Sequence, residues 1–383
     1  LKTLEELARA ARTRPEKLKE EREKGTKIVG YVGRFVPEEL IYTSGALPYL
    51  LCRGGQPEPP DAVIPYMLRF MSPYSRSQIG YHLLGIDPVV PMLDLIVVQC
   101  SDCHESRLAD LFEYFKLPTA RLGIPPDWEK TLSRDYYHEE LVRLTNKLEA
   151  LTGNKVTEPK LRESIESINK LRDVLNRINL LRKRRPPIGG ADFIRLNHYS
   201  FYNDPDRLLP KLNDLYQELS EGNSPFPKDA PRLLLAGHVV GVGDYVVPSL
   251  IEEAGGVIAA EFLDEGMRHC RWPVKTDGEL MKNLVDTYYL ERTPPSIFQP
   301  AWEERAETLK RLIRDFNIDG VVWYQLSFEE IYDMESSIIA KLSNKINIPF
   351  LKLESSYEYS REAMAPLTTR VESFLETVRE RRS

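Results

Sequence analysis

Apolar positions along the chain alternate between two rhythms. Leu4, Leu7, Ala8 and Ala11 lie on one stripe of a charged N-terminal helix over residues 1–24, which ends before Gly25. Residues 27–32 read as a strand closed by Gly33. Pro37-Glu38-Glu39 then opens a helix, because proline suits a first turn and acids suit a helix N-terminus. Residues 93–99 form a continuous apolar strand, followed by Cys100-Ser101-Asp102-Cys103, a helix over 106–115 and a short strand over 119–124. From 128 to 183 the pattern is helical only, with Leu161, Ile165, Ile168, Leu171, Leu175 and Ile178 recurring every three or four residues. Arg182-Lys183-Arg184-Arg185 and Pro186-Pro187 close that segment, and the basic run is expected to be a solvated helix end. A second series begins near Pro231, with strands at 233–236, 257–262, 320–326 and 349–354 and a helix at 246–254. It closes on a helix with Leu367, Val371, Phe374 and Val378 on one face. Apolar strands alternating with helices predict an α/β protein with helix-covered parallel sheets. The expected divisions are 1–127 (α/β), 128–230 (helical segment and linker completing the first half) and 231–383 (α/β), with 225–231 as the linker.

A length of 383 residues fits two domains better than one core. The 42% hydrophobic and 29% charged content argues against disorder. Lys and Arg total 52 against 58 Asp and Glu, so there is no basic footprint for nucleic acid. The longest apolar stretches, such as 95–98, are far too short to span a bilayer, and residues 1–24 contain no apolar signal core. A cytoplasmic protein is expected. Its four cysteines, Cys52, Cys100, Cys103 and Cys270, do not make a secreted disulfide scaffold.

Cys100 and Cys103 fall just past the carboxyl end of a parallel strand, where ligands of open α/β sheets bind. Two thiolates three residues apart can grip a metal or cluster, and soft sulfur suits iron–sulfur or zinc. Two unrelated buried thiols are the plain alternative. Cys52 and Cys270 stand where elements give way to loops, and all four together could supply a complete ligand set. A structural zinc is the competing metal reading. His104 and Glu105 either carry protons or form the exposed start of a helix. Arg76 is an anion contact or a surface arginine. The glycine loop 237–243 lacks the GxGxxG spacing and reads as a tight strand–helix turn rather than a nicotinamide site. Trp323, Tyr324 and Phe328 read as core packing.

Five segments in order carry a resemblance. Residues 37–48 (PEELIYTSGALP) are similar to a PEELI-type segment, residues 72–77 (SPYSRS) to a CPYxRS segment, and residues 97–108 to a strand ending in CD before a helix. Residues 186–192 (PPIGGAD) and 347–376, with its TRVESF helix, complete the series. The chain thereby resembles the 2-hydroxyacyl-CoA dehydratase and benzoyl-CoA reductase family. The resemblance implies two flavodoxin-like or Rossmann-like parallel-sheet domains with a helical insertion. It implies a subunit partnered with a homologous sister or a second copy of itself, and a separate ATP-hydrolysing iron–sulfur activator. It also implies a [4Fe–4S] cluster and reduction of an acyl-CoA thioester to a ketyl-type radical, leading to dehydration or ring reduction.

The sequence departs from that pattern at its ligands. The family's first cluster cysteine falls at Ser72, the second at Cys103 or Cys100, and the third at Glu329. The family's acidic pair aligns with Glu261-Phe262 ahead of Arg268. One expectation is a rebuilt set of Cys52, Cys100, Cys103 and Cys270 around the interdomain cleft. The other is a subunit that serves as scaffold or electron relay beside a cluster-bearing partner. If the chain takes part in the chemistry, His104 and Glu329 are the candidate proton carriers, and Ser72, Arg76 and Arg268 the candidate substrate contacts.

Overall fold

Runs of β-branched and aliphatic residues with no polar alternation can only be strands covered on both faces, and that is how they fold. The computed structural model describes residues 2–298 and 301–382; Leu1, the start of the expected first helix, lies outside them. The first half contains β1 (Ile28–Val32), β2 (Leu47–Leu50), β3 (Leu95–Cys100) and β4 (Thr119–Gly123), all parallel, in the order β2-β1-β3-β4. The second contains β5 (Arg232–Val239), β6 (Val257–Glu265), β7 (Gly320–Leu326) and β8 (Phe350–Ser355), also parallel, in the equivalent order β6-β5-β7-β8. The expected α/β class with two parallel sheets is therefore what forms.

Several boundaries differ from expectation for identifiable reasons. The N-terminal helix is two, Lys2–Arg12 and Arg14–Glu23, because Pro15 cannot continue a helix but fits the first turn of a new one. The short β2 escaped the apolar pattern since it has four residues and contains Pro48, which an edge strand tolerates. β5 runs through Gly237-His238-Val239, so the first part of the expected glycine turn is strand. Gly237 has φ +144°, and a Cβ there would stand 1.8 Å from the Tyr324 carbonyl oxygen of β7.

Between the sheets' sequences lie the helices Thr131–Thr152, Glu158–Leu181, Gly190–Phe201 and Pro205–Glu221. Helix Glu158–Leu181 ties the two halves together. Arg172 meets Glu39 of the first half at 2.7 Å, and Arg182 donates to Glu261 Oε2 of the second at 2.8 Å. Arg182 is fully buried, so the basic run is not wholly a solvated helix end as expected. It also donates to the Ile258 carbonyl, which fixes it on β6.

In a 2-1-3-4 order the crossover direction reverses between the first and third strands, opening a crevice at their carboxyl ends. The two crevices face each other. Gln99 at the end of β3 donates to Glu265 at the end of β6 at 3.0 Å, Arg34 after β1 donates to the Thr293 carbonyl at 2.9 Å, and Arg53 bridges to Val242.

Candidate functional site at the facing sheet edges

Side chains from both halves converge where the crevices meet. Ser72 precedes helix Pro73–Leu83, but its hydroxyl does not cap that helix. Its backbone N–H donates to His104 Nδ1 at 3.3 Å. His104 sits in the first turn of helix Cys103–Tyr114, whose N-terminus is capped by Asp102 accepting from the Glu105 N–H at 2.9 Å. His104 Nε2 lies 3.7 Å from Glu330 Oε2 across the cleft. Glu329 precedes helix Glu330–Lys345, on a turn entered through Phe328 at φ +69°. That left-handed conformation is strained for a bulky residue.

Glu329 Oε1 approaches His238 Nδ1 of β5 to 3.3 Å, without the alignment of a hydrogen bond. His238 stacks on Tyr332 with ring centroids 4.3 Å apart and takes the edge of Tyr74 at 6.0 Å. Ser72 Oγ, His238 Nδ1 and Glu329 Oε1 are all buried without a well-aligned hydrogen bond, and one another's charges and dipoles lie close by. Buried polar atoms are rarely left so, and each such group calls for a functional or structural reason.

The electrostatics assign protons. Burial works to lower the His238 pKa, but the Glu329 charge beside it prevails and raises it to about 9. Burial works to raise Glu329, and His238 holds it below the usual carboxylate range instead. A charged imidazolium therefore faces an ionised carboxylate at neutral pH. Alongside, Gln99 bridges two carboxyls, donating to Glu105 and to Glu265. Burial raises Glu105 well above its ordinary value and Glu265 to about 7. A carboxyl poised near neutrality can both give and take a proton. Gly33 makes room for this bridge: at φ +99°, a Cβ would stand 1.8 Å from Gln99 Cδ.

Of the residues expected from sequence, Ser72, His104 and Glu329 are thus brought together. His238 and Glu265 were missed. His238 was hidden in a glycine-rich stretch read as a turn. Glu265 lies past the expected end of β6, so the acids at that sheet edge are Asp264 and Glu265. Glu261, expected in the acidic pair, is turned to Arg182. Arg76 is near Ser72 but holds the carbonyls of Met71 and Pro60 at 3.1 and 2.8 Å. Arg268 is buried against Glu38 at 2.9 Å and donates to Ser200.

The cysteines do not converge. Cys52 is fully buried in the core shared by both halves, and burial raises its pKa to about 12. Cys100 lies on the Val98 face of β3, against the core of the first half, while Gln99 between them points the other way. Burial raises Cys100 to about 11. Cys270 packs beside the helical core with Leu196 and Leu212, and poor hydration raises it to about 11. Cys103 is exposed at the cleft, with burial and then Asp102 and Glu330 raising its pKa. Among the described residues no three His, Cys, Asp or Glu side chains are grouped as a metal site requires. The expected four-thiolate set therefore does not fit a cluster, because strand alternation and separate cores keep the sulfurs apart. At the three positions expected from the resemblance to hold cluster ligands stand a serine, one thiol and a carboxylate paired to histidine.

No described helix is long and apolar enough to cross a membrane. The family model for the 2-hydroxyglutaryl-CoA dehydratase D-component matches residues 34–378. A protein of Escherichia coli (strain K12), YjiM, named only provisionally as a dehydratase subunit, is 26% identical over 93% of this chain and 92% of its own. One of the subunits of benzoyl-CoA reductase from Thauera aromatica is 22% identical over 92% and 91%, respectively. The (R)-phenyllactyl-CoA dehydratase beta subunit of Clostridium sporogenes is 20% identical over 92% of each chain. The chain belongs to the 2-hydroxyglutaryl-CoA dehydratase D-component family.

Proposed function

We propose that this family member is a subunit of an ATP-dependent, low-potential acyl-CoA dehydratase or reductase complex, and that its own part is proton handling beside a cluster-bearing homologous subunit. The observation that carries this reading is the buried His238–Glu329 ion pair at 3.3 Å, with the buried Ser72 Oγ beside it, at the meeting of two strand-end crevices. Acyl-CoA dehydration and ring reduction both need protons delivered and removed at carbon or oxygen. The charged His238 can donate, and Glu265, at about 7, can exchange. Ser72 and His104 line the same place and can orient a polar substrate atom. The cysteine arrangement favours the partnered reading over a cluster held by this chain's four thiols.

The test is anaerobic co-purification with iron, sulfide and zinc analysis of the isolated chain and of the complex. Iron and sulfide should follow the partner, and content should be unchanged by Cys100→Ala and Cys103→Ala. Stoichiometric iron on the isolated chain, lost in either variant, would overturn the assignment. In the reconstituted complex, Glu329→Gln should depress turnover at least tenfold while leaving assembly intact.

A further inference from the structure

A second cluster of charge lies deeper between the halves, where β1 and β6 end, and shares only Glu265 with the proton-handling pocket. Arg34, Arg172, Arg268 and Arg292 surround a cavity of about 40 Å³, together with Glu38, Glu265 and His269. All four arginines are buried. A buried guanidinium demands a counter-charge, and each can be checked for one. Arg172 has Glu39 at 2.7 Å, and Arg268 has Glu38 at 2.9 Å. Arg34 reaches Asp264 only at 3.6 Å, and that carboxylate is already held by Arg305 at 2.7 Å. Arg292 donates to the Arg34 carbonyl at 3.2 Å and lies over the Tyr288 ring at 3.8 Å; its remaining neighbours include no close carboxylate among the described residues.

Positive charge is therefore in excess here. Five guanidiniums, counting Arg305, face the carboxylates Glu38, Glu39, Asp264 and Glu335, an excess of one. Glu265 on the cavity wall does not cancel it fully, since burial leaves that carboxyl half-protonated near neutrality, at about 7. Nε of Arg34, Arg172 and Arg292 and Nε2 of His269 are buried with no hydrogen-bond partner. Burial, then repulsion from Arg172 and Arg34, makes the charged form of Arg292 less favourable, lowering it to about 10 despite Tyr288 and Glu39.

We propose that this cavity binds the carboxylate of a small organic acid, with Arg292 as its main charge partner. A water needs roughly 10–15 Å³ of such space, so 40 Å³ holds about three heavy atoms, the size of a carboxylate. A planar guanidinium fork matches a carboxylate in two parallel hydrogen bonds. The acid's tail has a place to go. A neighbouring cavity of about 80 Å³ shares Arg34 and Arg268, and its wall includes the apolar Phe262, Met267, Trp272 and Leu312 beside Glu261 and Asp264, which are held by Arg182 and Arg305. The charge imbalance and the cavity support this site whichever reaction the complex performs.

The test is calorimetry and thermal unfolding of the full chain in chloride buffer, titrated with formate, hexanoate and sulfate. Hexanoate should bind at one site, at least tenfold tighter than formate, and raise the unfolding temperature saturably. Arg292→Met should lose at least tenfold in affinity, and Glu265→Gln should gain, because the one wall acid without an arginine partner is gone; Glu38 stays paired with Arg268. Should Arg292→Met fail to fold, Arg292→Lys serves: it keeps the charge, loses the fork and should bind at least tenfold more weakly. Equal responses to hexanoate and formate would overturn the placement of the tail and leave a free small ion as the ligand. An equal response to sulfate would overturn the carboxylate assignment. No saturable response in either the native chain or Glu265→Gln, or undiminished binding in the Arg292 variants, would overturn the site.

Discussion

Replacing Glu329 by glutamine removes the counter-charge of His238 while keeping the side chain's size. In the native chain the Glu329 carboxylate overcomes the burial of the ring and raises the imidazole from 6.5 to about 9. That rise corresponds to about 3 kcal/mol of preference for the charged ring in the folded state. The sign follows from linkage: the stabilisation is fully present below pH 6.5 and is lost as pH rises through 9. Burial is the largest single influence on the ring, so without Glu329 it should titrate at 6.5 or below despite the more distant Glu265 and Asp264. At pH 7 the variant should therefore be less stable by up to about 3 kcal/mol, consistent with the cost of breaking a buried pair. The assay is urea unfolding from pH 6 to 10, paired with NMR titration of labelled imidazole carbons. Native stability should fall across the upper part of this range, and Glu329→Gln should lack that fall. If His238 titrates near its ordinary value in both proteins, the ion pair does not operate in solution and the proton assignment is refuted.

Thiol accessibility offers an independent check: a maleimide should label Cys103 within minutes in the native chain, whereas the fully buried Cys52 should label only on unfolding. Equal rates, read by mass spectrometry, would contradict the placement of Cys52. Gly237→Ala would drive a methyl against the Tyr324 carbonyl, and should lower stability by about 3 kcal/mol or prevent folding, seen in denaturant midpoints. Arg182→Met should cost about 3–5 kcal/mol by leaving Glu261 buried and unpaired. The double variant with Glu261→Leu should recover most of that loss in the same measurement, whereas additive losses would show that the two residues do not act as a pair.

The central strands were readable because β1, β3, β5 and β7 are apolar on both faces, and a sequence rhythm reports that kind of burial where it is continuous. β2 was not, since an edge strand of four residues with a proline has too little pattern to detect. Ser72 and Glu329 were singled out through positional resemblance, and His104 through its place directly after Cys103. Their partner His238 was not, because its role depends on a contact spanning 91 residues of chain, from 238 to 329. Arg182 was misjudged for the same reason, its carboxylate lying 79 residues away. The cysteines misled because spacing says which residues are near in sequence but not which face they take. Strand alternation applied to Gln99 and Cys100 separates them: one enters the cleft and the other turns into the core.

Arg172 and Arg182 are ten residues apart on and just beyond one helix, a span of about 15 Å at 1.5 Å per residue. One grips the first half of the molecule and the other the second. The helix thus acts as a calliper whose jaws are set by residue count rather than by the surface it spans. The halves cannot draw apart without breaking a buried pair. Adding a single residue between the two arginines would turn the second by about 100° and leave Glu261 facing empty helix surface. The gap in which His238 meets Glu329 is in this sense measured out in a part of the chain that never touches it.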